Sequence, residues 1–234
     1  MPPLRGKQLL ERIATQGPGP VYLVYGRERW FADRALELLK EAIFGPPGPA
    51  ADAARSVNYD AFAGREAKAD PLSTATRTLP MFASRRLVVV RNGDRIPAAE
   101  WKAFAPYLDD PSPSTTLFLD WSARKPDGRK RWVKACGKQG IVAELRPLYD
   151  REVPEFLRFM SGRVGKQLTH DAASYLASGV GADLHALTDA LRRLALFVGD
   201  NPTIRAEDVE AAIADTRAHE VWDLTDAVAA RDVA

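Results

Sequence analysis

Short, unbroken apolar runs alternate with stretches of helical period through the first two thirds of the chain. Val21-Tyr22-Leu23-Val24-Tyr25 lies between Gly17-Pro18-Gly19-Pro20 and Gly26, which predicts a buried strand closed by turns. A helix over Lys7–Thr15 is expected before it. From Trp30 to Phe44 the apolar residues Phe31, Leu36, Leu38, Leu39 and Ile43 return at helical spacing until Gly45-Pro46-Pro47-Gly48-Pro49 stops them. Val57-Asn58-Tyr59 predicts a short strand. Asp70-Pro71 predicts a helix start, with Asp70 capping free N–H groups and Pro71 at the first helical position. Further strands are expected at Arg86–Arg91, around Leu87-Val88-Val89-Val90, at Thr115–Trp121 and at Ile141-Val142-Ala143. Helices are expected between them, at Ala98–Leu108 with Trp101, Phe104, Ala105 and Leu108 on one face, and at Arg129–Lys138.

Strands separated by helices imply βαβ units and a parallel five-stranded sheet covered on both faces. After Pro147 the strand signals stop. Helices are expected at Glu152–Gly162, Asp171–Ser178, Asp183–Val198 and Ala206–Ala214; in the third, Leu184, Leu187, Leu191, Leu194, Ala195 and Val198 form one stripe between an Asp183 cap and Gly199. The expected organisation is an α/β domain over 1–146 and a helical lid over 147–216. Residues 217–234 would begin a further amphipathic helix (Glu220 to Val228) of a truncated C-terminal domain.

Composition narrows the class. Of 234 residues, 46% are hydrophobic and 27% charged, an ordinary globular mixture. Lys+Arg 33 against Asp+Glu 31 leaves +2, which argues against binding to nucleic acid through net charge alone. The one cysteine, Cys136, excludes an internal disulfide and a Cys-rich zinc site and suits a reducing compartment. The leading Met1-Pro2-Pro3-Leu4-Arg5-Gly6-Lys7 has no apolar signal core, and no run is long enough to span a bilayer, so a cytoplasmic chain without membrane association is expected.

A parallel α/β domain followed by a helical lid is the outline of an AAA+ ATPase, so the turn after the first long strand is where nucleotide chemistry would appear. A P-loop requires G-x-x-x-x-G-K-[ST], so that backbone N–H groups, a lysine and a hydroxyl can hold phosphates and Mg²⁺. This turn reads Gly26-Arg27-Glu28-Arg29-Trp30-Phe31-Ala32-Asp33: Phe31 replaces the second glycine, Ala32 the lysine and Asp33 the hydroxyl. The strand at Leu87–Val90 runs into Arg91-Asn92 rather than into a metal-holding acid. Asp94 and Asp120, after strands, have the ordinary role of turn formers. The expectation is an AAA+-like, P-loop-type fold with a degenerate nucleotide site and no cofactor.

The chain resembles the delta subunit of bacterial DNA polymerase III. The resemblance is carried by Val21-Tyr22-Leu23-Val24-Tyr25-Gly26, by Thr78-Leu79-Pro80-Met81-Phe82-Ala83-Ser84-Arg85-Arg86 leading into Leu87–Asn92, and by Gly181-Ala182-Asp183-Leu184, Leu194-Ala195-Leu196 and Glu207-Asp208-Val209. Arg205 departs from the family, where a helix-capping Thr is common. The resemblance implies a clamp-loader subunit of the replicative holoenzyme, a DNA-directed DNA polymerase (nucleotidyltransferase), without intrinsic activity. It would bind and open the sliding clamp (the beta subunit) beside the gamma/tau and delta prime subunits on primed DNA. The remaining alternative is a diverged P-loop NTPase with a rearranged nucleotide pocket.

Pro80 ends the preceding helix and the next strand cannot begin before about Arg86, so Leu79, Met81 and Phe82 fall in a surface connection. As sequence, they either fold back as core or face outward. The resemblance makes them the clamp-binding element. The densest basic run, Ser122 to Trp132, offers Arg124, Lys125, Arg129, Lys130 and Arg131 either as a solvated face or as contacts to DNA phosphates. Trp101 and Trp132 are expected in the core rather than as base-stacking platforms. His170, His185 and His219 lie far apart with no ligand or triad spacing. Asp109-Asp110 and Glu207-Asp208 suit turn and helix-start roles. Cys136, on a basic helix, could have a lowered pKa or serve packing alone.

Overall fold

The computed structural model describes residues 2–122 and 125–212. It divides into two compact units, Met1–Pro147 and a second beginning at Leu148.

The first unit contains, in order, β1 (Leu4–Arg5), α1 (Gly6–Gln16), β2 (Val21–Tyr25), α2 (Arg29–Phe44), α3 (Pro49–Asn58) and β3 (Tyr59–Ala63). It continues with α4 (Ala69–Arg77), β4 (Arg86–Arg91), α5 (Ala98–Asp109), β5 (Thr115–Trp121), α6 (Arg131–Gln139) and β6 (Ile141–Glu144). The strands form one six-stranded sheet in the order β1-β6-β2-β5-β4-β3. Every neighbouring pair is parallel.

Continuous burial of β2 and β5 follows from their central place, because helices cover both faces of a parallel sheet. Side chains alternate between faces with period two. Leu23, Val88, Val90, Leu117 and Leu119 share one core with Leu72, Trp101, Phe104, Leu108, Trp132 and Cys136 from α4, α5 and α6. On α1 and α2, Leu9, Leu10, Phe31, Leu36 and Leu39 are buried as well, and the two helices pack together.

Several local expectations are corrected. A sixth strand, the two-residue β1, joins the five expected ones through β6, with Leu4 beside Ala143. Val57 and Asn58 end a helix, and the strand starts only at Tyr59. Asp70 does not cap α4: the helix begins at Ala69, whose N–H donates to the Glu100 carboxylate of α5 at 2.8 Å. Asp70 instead sits in the first turn, where its charge suits the helix dipole.

In the second unit α7 (Val153–Ser161), α8 (His170–Val180) and α9 (Leu184–Phe197) are the expected helices, and residues 206–212 are helical. Asp183 caps α9, accepting from the N–H groups of His185 and Ala186 at 2.9 and 3.1 Å. Strand structure does not stop at Pro147: β7 (Gln167–Leu168) and β8 (Thr203–Ile204) pair in parallel. The expected helix of residues 217–234 lies outside the described residues.

Candidate functional site: an apolar loop pinned by its backbone

The connection from α4 to β4 carries three large apolar side chains into solvent. Leu79 is 72% exposed, Met81 57% and Phe82 90%. None folds back under the sheet, so the core alternative does not hold for this loop. Val57 at the end of α3, whose carbonyl Arg86 bonds, is a further exposed apolar residue.

Both ends of the loop are tied down. On the entry side the Thr115 hydroxyl donates to the Thr76 carbonyl at 2.9 Å, holding the last turn of α4 against β5. The chain leaves the helix at Thr78, the residue Pro80 requires to be near its end. On the exit side the Arg85 guanidinium bonds Thr116 Oγ1 and the Thr115 carbonyl at 3.1 and 3.2 Å. Arg86 grips the other flank, with Nε donating to Asp60 at 2.8 Å and a terminal nitrogen to the Val57 carbonyl at 2.9 Å.

Between these ties, Asn58 holds the loop by its main chain. The Met81 N–H donates to Asn58 Oδ1 at 2.7 Å, and Asn58 Nδ2 donates to the carbonyls of Met81 and Ala54. One fully buried side-chain amide thus binds both main-chain groups of Met81 and leaves its thioether outside. The next residue, Phe82, has φ of +61°, a left-handed conformation that a bulky L-residue adopts at a cost.

The turn that begins at Gly26 is built as a closed joint. Gly26 has φ of +128°, and a Cβ there would stand 2.1 Å from the Leu145 carbonyl oxygen. The Glu28 N–H donates to that same oxygen at 3.0 Å, and the Leu145 N–H donates to the Tyr25 carbonyl at 2.7 Å. Glu28 caps α2 with its own carboxylate, accepting from the Trp30 N–H at 3.2 Å. Phe31 and Ala32, at the positions of the P-loop's glycine and lysine, are buried.

Above that joint, four charges interlock. Both terminal nitrogens of Arg29 bond the Asp120 carboxylate, one at 2.8 Å. Arg91 pairs with Asp33 at 2.9 Å and reaches Asp120 at 3.6 Å. Asp120 is 2% exposed. Burial pulls the Arg29 pKa down, but the hydrogen bond and charge of Asp120 outweigh it and the net direction is upward. Asp120 is therefore more than a turn former: it ties the end of β5 to the start of α2.

A family model described as the DNA polymerase III delta subunit matches residues 22–146. The chain belongs to that family. DNA polymerase III subunit delta of Bacillus subtilis (strain 168) is 24% identical over 220 residues, covering 91% of this chain and 62% of the relative's length. The chain thus spans less than two thirds of that curated protein. Among solved structures, the Bacillus subtilis DNA clamp loader delta protein (YqeN) superposes with a TM-score of 0.75 at 23% identity, covering 88% of this chain and 61% of that one. The Thermotoga maritima RuvB branch migration motor overlaps more loosely, with a TM-score of 0.44 at 14% identity over 89% of this chain and 66% of its own length.

The remaining expected site residues of this delta-family chain are dispersed. Lys125, Arg129, Lys130 and Arg131 are exposed, and Arg124 lies outside the described residues. Arg129 is paired with Asp127 at 3.0 Å, which holds the Asp127 carboxyl below its ordinary range, and Arg131 is paired with Asp109. Trp101 and Trp132 stack on each other in the core, 4.5 Å between ring centroids, so neither offers a face to a base. Cys136 is fully buried, and burial pushes its thiol up to about 12, the reverse of an activated cysteine. His170 and His185 lie on separate helices, and His219 lies outside the described residues. Among the described residues no three His, Cys, Asp or Glu side chains gather as metal ligands, and no helix is long and apolar enough to cross a membrane.

Sequence reasoning did not find Asn58, Arg85 or Arg86 as supports of the loop. The one available signal was a polar Asn lodged between Val57 and Tyr59.

Proposed function

We propose that this chain is the clamp-docking part of a DNA polymerase III delta subunit and acts by insertion rather than catalysis. Met81 and Phe82 enter an apolar pocket of the sliding clamp, with Leu79 beside them, and bias a subunit interface of the ring toward its open form. The observation that carries this reading is the outward display of these side chains on a loop whose backbone is fixed. Fully burying a Met or Phe is worth about 1.5–3 kcal/mol each. Discounted for what is already covered in the free chain, the pair retains roughly 2–4 kcal/mol for docking, about a hundredfold in affinity.

The closed turn at Gly26 supports action without nucleotide. At this turn the Glu28 and Trp30 N–H groups are engaged with the Leu145 carbonyl and the Glu28 carboxylate, and the Arg29 and Arg91 charges with Asp120 and Asp33. Neighbouring loader subunits of the gamma/tau and delta prime kinds would supply ATP hydrolysis, in the cytoplasm, on primed DNA. Lys125 and Lys130 are the better candidates for phosphate contact, since Arg129 and Arg131 already hold carboxylates.

The test is capture of the purified chain by its own species' sliding clamp. Wild type should bind; Met81→Ser with Phe82→Ser should lose about a hundredfold or more while melting as wild type does. Undiminished binding by the double variant refutes the docking role, and tight, saturable Mg·ATP binding in calorimetry refutes the nucleotide-free reading in favour of a diverged NTPase.

A further inference from the structure

Leu79, Met81 and Phe82 could reach a partner from a loose loop as well as from a rigid one, and the two differ in what ordering costs on binding. A loose loop surrenders about 1–2 kcal/mol of backbone freedom per residue when it docks. In the free chain the Asn58 side chain already bonds the backbone of Met81. Its amide faces Met81 as a strand neighbour would, accepting from the N–H and donating to the carbonyl. Its second donor bond, to the Ala54 carbonyl, anchors the same amide to the last turn of α3. The side chain has no exposed surface, so it contributes no contact area to a partner. Placing a polar amide there instead of an apolar residue is costly unless its partners are met, and here donor and acceptor both are.

We propose that Asn58 is a positioning residue for docking: it pre-orders the Leu79–Phe82 loop and forces the left-handed turn at Phe82 that displays the ring. This rests on the clamp-docking role of Met81 and Phe82, and its effect is exerted through the backbone of Met81. Asn58 acts before binding, on the free chain, and so leaves a signature there.

Amide hydrogen exchange followed by mass spectrometry or NMR reads that signature in the free chain. In wild type the Met81 amide should exchange at least tenfold slower than an unstructured peptide of the same sequence. In Asn58→Ala that protection should vanish at Met81 while β4 and β5 remain protected. Clamp affinity should fall about tenfold or more. Asn58→Asp keeps the acceptor for the Met81 N–H but loses the donor, and should fall between the two. It is also the variant to read if Asn58→Ala does not fold. An unprotected Met81 amide in wild type overturns the proposal, as does an Asn58→Asp or Asn58→Ala chain that binds the clamp as tightly as wild type. If Asn58 variants bind normally while Met81→Ser with Phe82→Ser does not, positioning fails and docking stands. If the double serine variant binds normally, the docking role itself fails, whatever the exchange rates.

Discussion

Replacing Asp120 by Ala tests whether ion pairing holds together the region where a nucleotide would otherwise sit. Asp120 is 2% exposed at the end of the central strand β5 and receives both terminal nitrogens of Arg29. Removing one member of a buried pair typically costs 3–5 kcal/mol, because the other charge is left uncompensated. Two observations lower that figure here. The Arg29 side chain is 34% exposed, so water can reach its guanidinium. Arg91 keeps its partner Asp33 at 2.9 Å after Asp120 is gone. The expected loss is therefore about 2–3 kcal/mol. With a urea m-value of about 1–3 kcal/mol/M, the midpoint should fall by roughly 1–2 M. Trp30, Trp101, Trp121 and Trp132, four of the five tryptophans, belong to the first unit, so their fluorescence reports the unit in which the pair sits. Asp120→Asn keeps a hydrogen-bond acceptor for Arg29 and should lose about half as much. A variant Asp120→Ala whose midpoint stays within about 0.3 M of wild type refutes the assignment of the four-charge cluster as a tie between β5 and α2.

Other consequences are accessible to simple assays. Phe82→Gly relieves the left-handed φ of +61° and removes a ring that is 90% exposed; thermal melting should be unchanged or improved by up to about 1 kcal/mol while clamp affinity falls about tenfold or more. Gly26→Ala places a methyl 2.1 Å from the Leu145 carbonyl oxygen at φ of +128°; chemical denaturation should show a loss of more than about 2 kcal/mol. Burial raises the Cys136 thiol from 9.0 to about 12, and burial also raises the phenols of Tyr22 and Tyr107. Above pH 9 the unfolded thiol releases its proton while the folded one keeps it, so stability should fall as pH rises from 9 toward 12, and a melting temperature that holds level to pH 10.5 would contradict this.

The elements that could be read in the sequence are those whose own residues dictate them. β2 and β4 carry unbroken apolar runs between turns and β5 carries Leu117-Phe118-Leu119, the pattern expected of strands buried on both faces. The Asp183 cap and the leucine stripe of α9 are local in the same sense. What escaped is short or long-range. α3 is an Ala-rich, polar segment with Asn58 as its one buried residue, so periodicity gives no stripe, and Val57-Asn58-Tyr59 carries β-forming residues into a helix end. β1, β7 and β8 have two residues each and exist through their partners. For the site, Pro80 and the loop length placed Leu79, Met81 and Phe82 in a surface connection but left their side chains free to face inward or outward, and the family resemblance alone favoured outward. The support was not legible, since Asn58 lies 23 positions before Met81, and Arg29 lies 91 before Asp120.

The strand order has a bearing on how the chain is made. Among the described residues β2 pairs with β5 and β6, and β1 with β6, where Leu4 meets Ala143. Five consecutive apolar residues, Val21 to Tyr25, are thus synthesised long before either neighbour exists. Such non-local pairing slows folding and leaves an adhesive segment uncovered in the meantime. Nascent chains arrested before residue 115 lack both of its partners, and chaperones that shield extended greasy segments should be found on them.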